Sequence, residues 1–168
     1  MASKSNKPMP PLEYLHKLFE YKDGALYWKI ARSNCIKVGD IAGHVNDQGY
    51  MKIKFDGIGY LSHRLIFFMH HKWVPEFLDH IDGNRLNNNI DNLRPATKLQ
   101  NLWNRGINRN NKSGVKGVHW CSRDKKWIVQ VSTDAGKRCL GYFDDLELAD
   151  LVAQEARHKY HGEYARHA

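Results

Sequence analysis

The chain predicts an α+β fold. Short apolar runs of strand length alternate with Asp-Gly and Asn-rich turns, and a few windows carry apolar residues at helical spacing instead. A polar, basic stretch after residue 103 then separates a longer first part from a shorter second part.

Residues 1–9 are polar and read as a disordered leader. After Pro10-Pro11, Leu12, Leu15, Leu18 and Phe19 recur at helical spacing, and Lys22-Asp23-Gly24 is expected to end that helix. "ALYWKI" (25–30) reads as a strand. "VGDIAGHV" and "YMKIKF" read as further strands, separated by Asn46-Asp47-Gln48-Gly49. Asp56-Gly57 is a hairpin signal, and Ser62 is placed to cap a helix through "HRLIFFMHH". Residues 78–104 read as strand, polar loop, strand, helix. Thr97 and Gln100 have capping-box spacing, which starts the helix at Lys98 and puts Asn101 in its first turn.

Residues 104–114, "NRGINRNNKSG", hold almost nothing apolar and mark the domain boundary. Beyond them, "GVKGVHW", "KWIVQVS" and "KRCLGYF" are strand candidates joined by Arg123–Lys126 and Thr133–Gly136 turns. Asp144 or Asp145 caps a closing helix, with Leu148, Leu151, Val152 and Ala156 expected on its buried stripe. The result is a three-stranded antiparallel sheet packed on one helix. The domain plan is therefore a leader at 1–9, a mixed α/β region at 10–104, a basic linker at 105–113 and a small module at 114–168.

The formal net charge is +8, from 26 Lys+Arg against 18 Asp+Glu, which points to a polyanionic partner. No apolar stretch is long enough to cross a bilayer, and the N-terminus lacks the apolar core of a secretory signal. A cytoplasmic location is expected. Cys35, Cys121 and Cys139 form no CxxC pair and read as free thiols in a reducing compartment, so no structural zinc is expected.

The most informative stretch is residues 78–93, "LDHIDGNRLNNNIDNL". Asp79 is a hard oxygen donor suited to magnesium. His80 follows directly. Neighbours in a strand point to opposite faces, so both serve one site only if the chain bends after Asp79. Asn92 and Asn101 lie further on. Gly83 is expected at positive φ, and Asn87, Asn88 and Asn89 are expected to build loop turns.

The run "DHIDGN…NN…DNLR…T…QN", with "HRL" upstream, resembles the HNH endonucleases of phage and homing-nuclease type. The resemblance implies a ββα-metal finger at 78–104. It implies His80 as the general base and Asn92 as the residue orienting it by a side-chain contact. Asp79 and Asn101 become ligands of one divalent cation, magnesium or manganese. His63-Arg64 falls within the resemblance and reads as a structural pair linking the helix to the finger. The chemistry implied is attack of an activated water on a DNA phosphodiester, with the cation stabilising the leaving 3′ oxygen. Arg85, Arg94 and Arg105 are candidates to brace the scissile phosphate.

The second part resembles the APETALA2/ethylene-response-factor DNA-binding domain at Gly117-Val118, Trp127, Gly141, Phe143, Ala149 and the closing "HGEYA". That resemblance implies a sheet facing double-stranded DNA. Alternation alone turns Trp127, Val129 and Val131 to the helix and Gln130 and Ser132 outward. His119, Cys121, Ser132 and Cys139 stand where the family uses arginine or tryptophan, so phosphate contacts are expected to dominate. The expected DNA contacts are Arg105, Lys116, His119, Arg123, Lys125, Lys126, Gln130 and Lys137.

Together these readings describe a site-preferring, homing-like DNA endonuclease. It acts as a monomer without a protein partner, and its single active site favours nicking. A non-cutting DNA-binding regulator with a dead finger is the rival; the four intact motif residues argue against it. An RNA-binding protein fits the charge but not the paired motifs.

Overall fold

The computed structural model describes residues 8–167. Residues 1–7 of the expected leader lie outside them. Two units divide at Ala96/Thr97.

The first unit runs α1 (Leu12–Leu18), β1 (Phe19–Lys22), β2 (Ala25–Trp28), β3 (His44–Val45), β4 (Met51–Phe55), β5 (Ile58–Leu61), α2 (Ser62–His71), β6 (Phe77–His80) and β7 (Leu93–Ala96). A 3-10 turn, Ile90–Asn92, precedes β7. The strands form three small antiparallel sheets: β1-β2, β3-β4-β5 and β6-β7.

The first helix is shorter than its periodicity predicts. It stops at Leu18 because Phe19–Lys22 pair with β2, Phe19 opposite Trp28 and Lys22 opposite Ala25. Asp23 (φ 49) and Gly24 (φ 80) are both left-handed, the conformation of a tight two-residue hairpin. The Asp-Gly pair read as a helix stop is thus a hairpin turn. Phe19 and Trp28 stack into the core with ring centroids 4.7 Å apart. "VGDIAGHV" yields only the two residues of β3. Its earlier part runs beside β2 through Trp28 N–H to Asp40 O and Ala42 N–H to Leu26 O, bonds too irregular for a full strand.

Helix α2 is the centre of this unit. Ser62 lies inside the helix and does not cap it; Leu61 holds the N-cap position, without a side-chain cap bond. Seven of its ten residues are buried, including Leu65 and Ile66 at 0% exposure, so it is enclosed on nearly every side. Arg64 is tolerated inside because its guanidinium donates to Pro75 O (3.1 Å) and Glu76 O (3.2 Å). Those bonds fasten the segment that leads into β6.

The β1–β2 hairpin supports the loop between β6 and β7. Ile90 N–H donates to the Tyr21 hydroxyl at 3.1 Å. The Gly24 backbone lies so close that a Cβ there would meet Asn89 N at 2.8 Å and Asn88 C at 3.2 Å.

The second unit runs α3 (Lys98–Trp103), β8 (Val118–Cys121), β9 (Lys126–Thr133), β10 (Gly136–Phe143) and α4 (Leu146–His161), with a 3-10 turn at Gly162–Tyr164. Thr97 and Gln100 form the expected capping box: Gln100 N–H donates to Thr97 Oγ1 at 3.1 Å, and Thr97 N–H to Gln100 Oε1 at 2.7 Å. The sheet is antiparallel with β9 central, and Asp145 caps α4 through Leu148 N–H at 2.8 Å. Val118, Val129 and Val131 are buried on the sheet.

The buried face of α4 matches the expected stripe at Val152 and Ala156 and departs from it at Leu148 and Leu151. Ala149, Ala153 and Ala156 are buried, whereas Leu148 and Leu151 are 50% and 63% exposed. Alanines let the helix backbone approach a sheet closely, and the longer leucines are rotated outward. The face follows shape more than hydrophobicity.

Gly24→Ala is predicted to cost more stability than Gly39→Ala in urea unfolding. Both glycines have positive φ, but only Gly24 has backbone within contact of an added Cβ. Left-handed strain of about 1–2 kcal/mol is common to both, and crowding adds about 1–3 kcal/mol at Gly24 alone.

Candidate active site

Strands β6 and β7 pair without a bulge, Asp79 opposite Arg94 and His80 opposite Leu93. The two side chains therefore leave opposite faces of the ribbon. The bend or bulge expected after Asp79 is absent: β6 runs on through His80, and the chain turns only beyond it, where Gly83, at φ 69, donates its N–H to His80 O at 2.8 Å.

On one face, Arg94 Nε and Nη2 each lie 3.0 Å from Asp79 Oδ2. The carboxylate is 5% exposed as a residue. This charge-assisted pair is a cross-strand contact in a poorly hydrated place. The donor chemistry fits a hard cation, since Asp79 is already arranged to hold positive charge. Among the described residues no group of three or more His, Cys, Asp or Glu is placed to hold a metal ion. A cation bound at Asp79 would have few protein ligands, as magnesium tolerates by keeping water.

On the other face, His80 Nε2 lies 3.0 Å from Asn88 Oδ1, both residues being buried. An amide oxygen only accepts, so Nε2 carries the ring proton in this contact. In the neutral ring Nδ1 then keeps its lone pair, which is what a base needs. The His80 ring packs edge-on against His63 (centroids 5.0 Å) and lies 6.1 Å from Tyr50, which is itself 5.3 Å from His63. Arg85 lies over Tyr50, 4.9 Å from its centroid, and donates from Nη1 to Gln48 O at 2.7 Å. His63 is 5% exposed and its Nδ1 lacks a partner among the described residues. Burial pushes its imidazole down to about 3, and the electrostatic influence of His80 and Arg64 adds to the shift.

The asparagine content of the loop has a local cause. Asp82, Asn84, Asn87 and Asn89 each accept, through the side chain, a backbone N–H two residues ahead: Asn84, Leu86, Asn89 and Asp91. Successive turns of this kind fold the loop back on itself. Asn88 departs from the series and turns inward to His80. The side-chain contact expected of Asn92 is thus made by Asn88, one of the residues expected to build turns. Asn92 braces the loop base instead. Its Nδ2 donates to Asp82 Oδ1 (2.9 Å) and Asn87 O (2.8 Å), and its Oδ1 accepts from Asp82 N–H (3.0 Å). Burial raises the Asp82 carboxyl, but bonds from Asn87, Asn92 and the Asn84 amide outweigh it and hold it below the usual range.

In the second unit, Asn101 lies in the first turn of α3, its N–H on Thr97 O at 3.0 Å. The residues expected to touch DNA are placed unequally. Lys116 is turned inward: its Nζ donates to the carbonyls of Trp103 (2.5 Å), Arg105 (2.7 Å) and Arg166 (3.2 Å). Burial beside Arg157 and Arg166 lowers it to about 8. Lys126 pairs with Asp144 and Arg123 with Asp124. His119, Lys125, Lys137 and Arg105 are exposed, and Gln130 is half-buried. His119 opposes Ile128 and Gln130 opposes Cys139, which places them on the sheet face away from Val118 and Val129.

An HNH endonuclease family model matches residues 60–102, which contain His63, Asp79, His80, Asn88, Asn92 and Asn101. Protein 3.8 of Escherichia phage T7 is 36% identical over 90 residues, covering 54% of this chain and 74% of that protein. The chain belongs to the HNH endonuclease family. No solved structure matches it. Within this HNH protein, no helix among the described residues is long and apolar enough to cross a membrane.

His63 makes the stability of this HNH protein acid-sensitive. Its imidazole falls from 6.5 to about 3 on folding. Between those values the unfolded chain binds a proton that the folded chain refuses, so stability drops as pH falls through that window. Urea titrations should show a shallower acid loss for His63→Leu than for wild type, by up to about 1.4 kcal/mol per pH unit.

Proposed function

We propose that the chain is a metal-dependent DNA endonuclease with His80 as its general base. The observation that carries this reading is the buried His80 Nε2–Asn88 Oδ1 contact, inside the residues that match the family. With Nε2 protonated, Nδ1 accepts the proton of a water beside a phosphodiester. Asn88 holds the ring in that tautomer, and the packing of His63 and Tyr50 limits its rotation. Asn92 and Asp82 keep the loop closed behind Asn88.

Asp79 and Asn101 are each assigned as metal ligands by their places in the motif. A divalent cation bound there, magnesium or manganese, would stabilise charge on the leaving 3′ oxygen. Before it binds, Arg94 neutralises Asp79 and keeps the buried carboxylate from being isolated.

The second unit acts as an APETALA2-like DNA-binding module. Its β-β-β-α order and the outward His119 and Gln130 support that reading. Exposed Lys125, Lys137 and Arg105 supply phosphate contacts, with Arg123 and Lys126 available on giving up their ion pairs. Lys116 is left out of this set because its donors are committed internally. The enzyme works as a site-preferring, homing-like monomer that nicks one strand.

Incubation of supercoiled plasmid with magnesium tests the reading. Wild type converts it to open circle, His80→Ala is slower by about 10²–10⁴-fold, and Asn88→Ala is slower by a smaller factor. An intact plasmid across divalent metals would refute the enzyme; full-rate nicking by His80→Ala would refute the base.

A further inference from the structure

We propose that Arg85 is the residue that grips the scissile phosphate and that the Tyr50 ring aims it; this rests on the endonuclease reading above. The first unit carries four arginines, and three of them are committed elsewhere. Arg32 pairs with Asp56 at 2.7 Å. Arg64 is buried on the carbonyls of Pro75 and Glu76. Arg94 holds Asp79. Arg85 differs. Among the described residues its partners are a neutral carbonyl, Gln48 O, and the face of Tyr50. Neither cancels its charge, and the side chain is on an exposed residue.

Its position is not that of an arbitrary surface arginine. Tyr50 lies one ring away from both His63 and His80, so the guanidinium rests on the same aromatic cluster that holds the base. Two anchors fix it: the Nη1 bond to the turn between β3 and β4, and the cation–π contact. The remaining N–H groups of the guanidinium stay available in a planar fork, which matches two phosphate oxygens at once. Water activated at His80 attacks phosphorus, and the developing charge on the non-bridging oxygens needs a fixed cation nearby. Arg85 meets that need from the loop that follows the base.

The test compares full-length variants on supercoiled plasmid at saturating magnesium, with His80→Ala in parallel. Arg85→Ala should lower kcat by about 10²–10³-fold with little change in KM, the mark of contact made mainly in the transition state. Arg85→Lys should recover only part of the loss, because an ammonium lacks the fork. Tyr50→Leu should lower kcat by about tenfold, and Tyr50→Phe, which keeps the ring, should rescue most of that. In the His80→Ala background, Arg85→Ala should reduce the slope of log binding constant against log salt by about one phosphate contact.

If Arg85→Ala nicks within about threefold of wild type while His80→Ala does not nick, the phosphate assignment falls and the endonuclease reading stands. If Arg85→Ala raises KM alone, it is an ordinary backbone contact and the assignment falls. If Tyr50→Leu matches wild type, the aiming role falls. A wild-type protein that leaves the plasmid intact across divalent metals overturns both readings.

Discussion

The hydrogen bond between His80 Nε2 and Asn88 Oδ1 is the constraint on which the rest of the site depends. It fixes which ring nitrogen carries the proton and so which one is able to act as a base. An imidazole free to choose its tautomer spends part of its time with the wrong nitrogen protonated. A buried amide oxygen removes that freedom, and the cost of leaving it unpaired, about 1–3 kcal/mol, makes the choice firm.

Asn88 is in turn held from several directions. Side chains of the loop form a series of short turns, and Asn92 and Asp82 close it at the base. Tyr21 and Gly24 of the β1–β2 hairpin press on Asn88–Ile90 from outside. Helix α2 contributes His63 to the ring cluster and, through Arg64, ties down the chain before β6. Elements far apart in sequence thereby converge on one amide. These surrounding residues set the geometry of His80, the proposed base, as supporting shells around functional groups generally do.

Much of this was legible because it is local. The Thr97–Gln100 box, the Asp145 cap, the Asp56-Gly57 hairpin and the left-handed Gly83 each follow from a few neighbouring residues. What escaped was decided at long range. The first helix gives way at Phe19 because β2 offers it a pairing partner. The face of α4 is chosen by how closely alanines let it approach the sheet. Charge alone cannot distinguish a solvated lysine from one that, like Lys116, gathers three carbonyls. In the site, Asp79, His80, Asn92 and Asn101 stand out through the resemblance of their motif to the HNH endonucleases. Asn88 was hidden among identical amides: three asparagines in a row carry the same local turn preference, and only the fold decides which one turns inward.

The central claim is open to direct observation of the ring itself. Long-range proton–nitrogen correlation NMR of the histidines, with His80 assigned by comparison to His80→Ala, reports the tautomer in the metal-free protein. An Nε2-protonated ring is expected in wild type, with a shift toward a mixture in Asn88→Ala. An Nδ1-protonated ring in wild type, or a tautomer unchanged by Asn88→Ala, would contradict that claim.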